Sequence, residues 1–298
     1  MSGFRQWDQI DHADEWLLFP ENIGEYLSID EVALSNGELY TVLTNKQAKG
    51  GKGAIVAMIQ GTKASVIEPI LRKIPLIANE QVKEITLDMA GSMEAIARNI
   101  FTNAKIVTDR FHVQQVVSEA VQEIRIDYRK QAIKEENEKI TQIRKQGQRY
   151  YPSIYENGDT KKQLLARSRH LLFKPESRWT NSQSIRAKIL FREFTDLQEA
   201  YNLSMMFRSF YEQGRTIEDA KSKLENWYKK VEEKEIESFN SASQTIRLHE
   251  TTILNYFLNR STNASAESFN AKLKAFRSIV RGVRDRKFHL FRVAKLYA

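Results

Sequence analysis

Three carboxylates stand where a chain could use them for chemistry. Asp30 sits inside an alternating apolar run, Asp88 ends a short run Ile85-Thr86-Leu87, and Glu267 rides on an amphipathic helix. In that helix Phe269, Leu273, Phe276 and Val280 recur at steps of four, three and four, which forms one apolar stripe. At roughly 100° per residue Glu267 leaves the opposite side, within about 60° of Asn270, Lys274 and Arg281. Two aspartates on adjacent strands and a glutamate on a crossing helix form an all-oxygen donor set. Such a set suits Mg²⁺, with Mn²⁺ able to substitute, the remaining positions going to water and substrate phosphate. Two such ions about 3.5–4 Å apart serve both the attacking and the leaving oxygen of a phosphoryl transfer. A solvated surface helix shows the same pattern, so the elements that carry the other groups decide.

Tyr26 to Leu34 reads as a strand, with Leu27 and Ile29 alternating with Ser28 and Asp30, and Asn36-Gly37 signals a hairpin into Leu39–Leu43. Ala54 to Ile59 is a third, buried strand. Lys49-Gly50-Gly51-Lys52-Gly53 before it lacks P-loop spacing and reads as a flexible hairpin loop. A helix over about Ser65–Lys73 follows, where Pro69 favours a later start and Pro75 ends it. Then come a strand at Ile85–Asp88, a helix at Ser92–Phe101 and a strand at Ala104–Asp109. The order β-β-β-α-β-α-β predicts a mixed α/β sheet covered by helices on both faces. Residues 1–23, with Trp7 and Trp16, show no clear period and read as a lead-in. From Val113 to about Arg260 the pattern is helical: Val113–Arg149, Lys161–Leu172, Gln183–Tyr211, Thr216–Glu235 and Ser238–Asn259. Lys130–Lys145 mixes both signs, as a solvated helix face does.

Composition narrows the classes. The chain has 298 residues, 28% of them charged, and no cysteine, which removes disulfides, zinc ribbons and thiol catalysis. No apolar run is long enough to span a bilayer and no signal peptide opens the chain, so the expected location is cytoplasmic. Net charge is +8, and from Glu267 onward nine basic residues face two acidic ones. A basic segment of this density suits a polyphosphate partner; an exposed solubilising tail is the plainer alternative.

The runs Ser28-Ile29-Asp30-Glu31, Leu87-Asp88-Met89-Ala90, Asn103 through Thr108-Asp109-Arg110-Phe111-His112-Val113, and Ser265-Ala266-Glu267-Ser268-Phe269-Asn270 resemble the DDE transposases of bacterial insertion sequences, in particular the ISL-three type. The resemblance covers roughly residues 24–298. It implies a ribonuclease H-like core, β-β-β-α-β-α-β-α, interrupted by a large all-helical insertion before the last catalytic helix. The implied layout is a lead-in at 1–23, core at 24–115, helical insertion at 116–260, and the last core helices with the basic segment at 261–298.

The resemblance also implies roles. Asp30, Asp88 and Glu267 become the catalytic, metal-binding residues for two Mg²⁺ ions, with Asp109 and His112 as auxiliary groups. The implied reaction cuts phosphodiester bonds at element ends and transfers the freed 3′-hydroxyl into target DNA. Alternatives stay open. Asp109 could replace Asp88 as the second ligand or merely cap the following helix, and His112 could be a hydrogen-bonded core histidine. Asn270, Lys274, Arg277, Arg281, Arg110 and Trp179 are the candidate DNA contacts, Trp179 either stacking on an unpaired base or packing between helices. The implied partners are double-stranded DNA at element ends and target, and further copies of the chain assembled on it. Relatives carry a zinc-binding and helix-turn-helix region for end recognition, which points here to a separate polypeptide or a truncated remnant. The rival readings are a catalytically silent DNA-binding regulator and a nuclease of the same fold that cuts without joining.

Overall fold

The computed structural model describes residues 3–34, 37–280 and 282–298. Ser35, Asn36 and Arg281 lie outside them, and with Asn36 goes the expected hairpin turn. The chain forms two compact units, one of residues 1–112 with 249–298 and one of residues 113–248. No helix among the described residues is long and apolar enough to cross a membrane.

The first unit begins with strands β1 (Trp16–Leu18), β2 (Tyr26–Ala33), β3 (Leu39–Asn45) and β4 (Ile55–Gln60), then helices α1 (Ala64–Leu71) and α2 (Leu76–Glu80). Strand β5 (Glu84–Leu87), helix α3 (Gly91–Ile100) and strand β6 (Lys105–Thr108) follow. The six strands lie in the order β1-β4-β3-β2-β5-β6. Pairing is antiparallel among β1, β4, β3 and β2 and parallel from β2 to β5 to β6. Three expectations need correcting. The lead-in contributes β1, because Trp16 to Leu18 pairs with Ile59 to Ala57 at the sheet edge. Helix α1 starts at Ala64 with Pro69 inside it, where the proline removes a single intrahelical bond, the one to the Ser65 carbonyl. The loop before β4 is not free: Lys46–Ala48 is a 3-10 turn, and the Gly50 carbonyl accepts a hydrogen bond from Lys272.

Helix α4 (Arg110–Lys145) is one uninterrupted element of 36 residues, its first three belonging to the first unit. The second unit continues with α5 (Lys161–Arg167), α6 (Asn181–Glu193), α7 (Thr195–Gln213), α8 (Ile217–Lys234) and α9 (Glu237–Leu248). The helix expected over 183–211 is broken at Phe194, whose φ of −134° and ψ of 83° leave the helical region. Around Trp227 a buried aromatic core gathers Phe207, Phe210 and Tyr228. Beneath α6, the fully buried Asp159 is gripped by Arg167 and by Arg186 Nε at 2.9 Å, with Asn157 donating to the same carboxylate.

The first unit resumes at residue 249 with α10 (Glu250–Leu254), α11 (Tyr256–Asn259), α12 (Ala264–Ile279) and α13 (Arg286–Tyr297). Residues 249–260, expected in the insertion, therefore group with the sheet. Alternation along the strands gives the sheet two unlike faces. One is apolar throughout: Leu27, Ile29, Leu43, Ile85, Leu87 and Ile106 pack on Ile67 and Leu71 of α1 and on Met93, Ile96 and Ile100 of α3. The other is apolar only toward β1, where Leu17, Val32, Tyr40, Val42 and Met58 hold Phe269 and Leu273 of α12 and Leu290 and Val293 of α13. Toward β6 that same face turns polar, and it carries the candidate site.

Candidate active site

On the polar face Ser28 of β2 pairs with Thr86 of β5, and Thr86 with Val107 of β6. Two residues further along each parallel strand stand Asp30, Asp88 and Asp109. Because side chains repeat every second residue, the three carboxylates share this face and this level, with Asp88 on the central strand. The Asp109 N–H donating to the Leu87 carbonyl at 2.8 Å keeps the ladder intact at that point.

Each carboxylate is held from a different direction. Asp30 Oδ1 accepts the Glu31 N–H at 2.8 Å and Oδ2 accepts Asn270 Nδ2 of α12 at 2.8 Å. Asp88 Oδ1 accepts the Ala90 N–H at 2.8 Å, just before α3 begins. Asp109, only 1% exposed, takes the Asn263 N–H on Oδ1 at 3.3 Å, while its Oδ2 has no hydrogen-bond partner among the described residues. That carboxylate thus turns toward the start of α12 and does not cap α4. Glu267, in the first turn of α12, completes the group from above. Ligand atoms of Asp109, His112 and Glu267 all lie within 4.8 Å of one another, an arrangement able to hold a metal ion. His112 is half-buried and its ring meets the exposed Phe111 edge-on, so it is not a core histidine.

The acids repel one another. Burial pushes the Asp30 carboxyl above its usual value; the Glu31 N–H and His112 pull it back and Asp88 pushes it further. Burial, then Asp109, raises Glu267, with His112 opposing and Asp30 adding. Glu31 is raised by burial and by the charges of Asp88 and Asp30. A cluster whose anionic form is disfavoured by its own members is one a cation relieves. Carboxylates and one imidazole are hard donors that fit Mg²⁺ or Mn²⁺, and the unpaired, buried Asp109 Oδ2 is an oxygen that needs such a partner.

Below the row the polar face continues inward. Lys46 Nζ donates to Thr86 at 2.8 Å and lies 3.6 Å from Glu84, which also accepts from Asn259. Burial lowers the Lys46 pKa, while Glu84 and, more weakly, Asp109 hold it up.

Several expected DNA contacts are otherwise engaged. Asn270 is buried and spends its amide on Asp30 and the Glu31 carbonyl. Arg277 is buried and paired with Glu38 at 3.0 Å. Helical position placed it near the glutamate face, but a partner 239 positions earlier draws it into the fold. Trp179, in the second unit, donates Nε1 to the Leu171 carbonyl and packs on Phe191 and Tyr201, which makes it a helix-packing tryptophan. Lys274 and Arg110 are exposed, Arg110 donating to Tyr256; Arg281 lies outside the described residues. Sequence reasoning missed Asn263 and Ser265, whose buried side-chain polar atoms have no partner among the described residues. Their position just before Glu267 is the one signal that could have drawn attention to them.

A family model described as a transposase, of the ISL-three DDE type, matches residues 27–293. The transposase for insertion sequence element IS1001 of Bordetella parapertussis is 21% identical over 273 residues, covering 90% of this chain and 60% of that protein. The chain thus spans about three fifths of that relative's length. No solved structure matches.

Proposed function

The chain belongs to the DDE transposases of the ISL-three type, and from that premise we propose a DNA-cutting and DNA-joining site at Asp30, Asp88 and Glu267. Its core is ribonuclease H-like, a reading supported by the strand order β4-β3-β2-β5-β6 with helices on both faces. The observation that carries the proposal is the level row of Asp30, Asp88 and Asp109 on three parallel strands, with α12 laying Glu267 and Asn270 over it.

Asp30, Asp88 and Glu267 would hold two Mg²⁺ ions, Mn²⁺ substituting, with Asp109 and His112 beside them. Bound divalent ions supply Lewis-acid stabilisation of the attacking and leaving oxygens of a phosphodiester. The protein supplies orientation. Asn270 and the Glu31 N–H aim Asp30, the Ala90 N–H aims Asp88, and α12 presents Glu267 because Phe269 and Leu273 seat that helix on the sheet. Lys274 and Arg110 are the exposed cations proposed to meet phosphate oxygens. Cleavage at element ends comes first, and the freed 3′-hydroxyl then attacks target DNA at the same site, with further copies of the chain assembled on the DNA.

The mutual 4.8 Å approach of Asp109, His112 and Glu267 favours a second assignment in which Asp109 replaces Asp88. Mn²⁺-dependent nicking and strand transfer on an element-end duplex, with Asp88→Asn and Asp109→Asn tested separately, decides. The expected outcome is that Asp88→Asn abolishes both steps and Mn²⁺ binding, while Asp109→Asn weakens them. Loss of metal with Asp109→Asn alone moves the ligand to Asp109. Nicking without joining makes the chain a nuclease, and the absence of both activities makes it a silent DNA binder.

A further inference from the structure

Asn263 is fully buried, and neither its side-chain oxygen nor its nitrogen has a hydrogen-bond partner among the described residues. A buried amide left bare on both atoms is rare, because each desolvated polar atom costs stability. The residue is not bare elsewhere: its carbonyl accepts the Glu267 N–H at 3.0 Å, the first bond of α12, and its own N–H donates to Asp109 Oδ1 at 3.3 Å. Its main chain therefore bridges the two acids that, with His112, come within 4.8 Å of one another. Asp109 Oδ2, the Ser265 hydroxyl and Asn270 Oδ1 are likewise buried and without a partner among the described residues. A leucine of similar size would fill the same space without this cost, so a purely structural role does not explain an amide here.

We propose that Asn263 is a positioning residue of the metal site: its amide holds a water of the hydrated divalent cation and so sets the Asp109 carboxylate against it. The inference rests on the metal reading given above and adds a residue to it. An oxygen acceptor and an N–H donor on one planar group can orient a single water, which leaves that water's remaining lone pair or proton for the cation and for Asp109 Oδ2. Groups that orient ligands and bound water in this way typically change metal affinity by about 10–100-fold when removed.

The test uses the full chain, Mn²⁺ alone as the probe, and two readouts: Mn²⁺ affinity by electron paramagnetic resonance and thermal stability without metal. Asn263→Leu keeps both main-chain hydrogen bonds and removes only the amide. The expected result is Mn²⁺ binding weakened about 10–100-fold, with metal-free Tm equal to or above that of the wild type. Asn263→Asp keeps an acceptor oxygen and is expected to bind Mn²⁺ at least as tightly as the wild type. Unchanged Mn²⁺ affinity in Asn263→Leu overturns the proposal, as does a fall in its metal-free Tm that parallels the loss of binding. Should Asn263→Leu fail to fold, Asn263→Asp decides: wild-type affinity supports the proposal and weakened affinity overturns it. A wild type that binds no Mn²⁺ would sink the metal reading itself, and this inference with it.

Discussion

Two aspartates, one in each unit, are equally hidden from water and treated in opposite ways. Asp159 is 0% exposed and sits between Arg167 and Arg186, with Asn157 adding a donor. Burial alone would raise its pKa, and the two guanidinium groups bring it below the usual carboxylate range. Asp109 is 1% exposed, receives one main-chain N–H, and keeps an oxygen without a partner among the described residues. Lys46, the half-buried cation that senses it, is spent on Thr86 and Glu84. The first carboxylate carries its own counter-charge and closes a fold. The second is paired with no arginine or lysine among the described residues.

The largest effect that tests this contrast is on Asp159. Asp159→Asn leaves the largely covered Arg186 and the half-exposed Arg167 without their anion and is expected to destabilise the protein by about 2–4 kcal/mol in urea unfolding, with Mn²⁺ affinity unchanged. An effect under about 1 kcal/mol would put this triad with ordinary surface pairs and remove the contrast.

His289 extends the comparison to a buried base. It is 1% exposed, neither ring nitrogen has a partner among the described residues, and it stacks on Phe276. Burial, with Arg277 and Arg292 nearby, lowers its pKa to about 4. A folded pKa below the unfolded value means that the neutral form is the one stabilised. Stability from this group is then complete above about pH 6.5 and is lost as pH falls toward 4. Between pH 7.5 and pH 5 the loss should be about 2 kcal/mol. His289→Phe should flatten that part of the stability–pH curve; an unchanged slope would show the ring is solvated in the folded protein.

Asp109→Asn should do the reverse of Asp159→Asn. Without metal it removes a repulsion and is expected to change stability by between zero and about +1 kcal/mol, while Mn²⁺ affinity falls at least about tenfold. A loss of stability as large as that of Asp159→Asn would break the comparison. The smallest effect belongs to Trp179. Trp179→Phe gives up the bond to the Leu171 carbonyl and should cost about 1 kcal/mol without altering the binding of an element-end duplex. A selective loss of DNA affinity would return that residue to the interface.

What the chain disclosed in advance follows periodicity. Alternation placed Asp30 on a strand, short apolar runs placed Asp88 and Asp109 at strand ends, and the stripe of Phe269 and Leu273 announced α12 and the side from which Glu267 leaves it. What stayed hidden depends on partners far away along the chain. Nothing local to Arg277 announces Glu38, and nothing local to Asn270 announces Asp30, 240 positions earlier. A helical wheel reads charge as exposure, and here two polar residues on the expected DNA face point inward. Strand β1 was equally opaque, since three residues carry too short a pattern and its pairing with β4 supplies the order. Phe194 breaks a helix with no proline or glycine at the break, so composition gave no warning.

The loop from Lys46 to Gly53 read as a flexible hairpin connection and serves as a seat. Lys272 of α12 donates to the Gly50 carbonyl, and a methyl group added at Gly50 would meet Lys272 Nζ at 3.2 Å and Phe269 at 3.5 Å, on a backbone whose φ of +68° already disfavours one.

The row of aspartates is written into the chain by residue 109, whereas Glu267 follows more than 150 positions later. During synthesis at about 5–20 residues per second, the strands can pair long before α12 emerges to cover them. For roughly 10–30 seconds each new molecule is an acidic groove without its glutamate, and without the Asn270 that aims Asp30. A site split in this way across the chain comes into existence only when the whole polypeptide has been made.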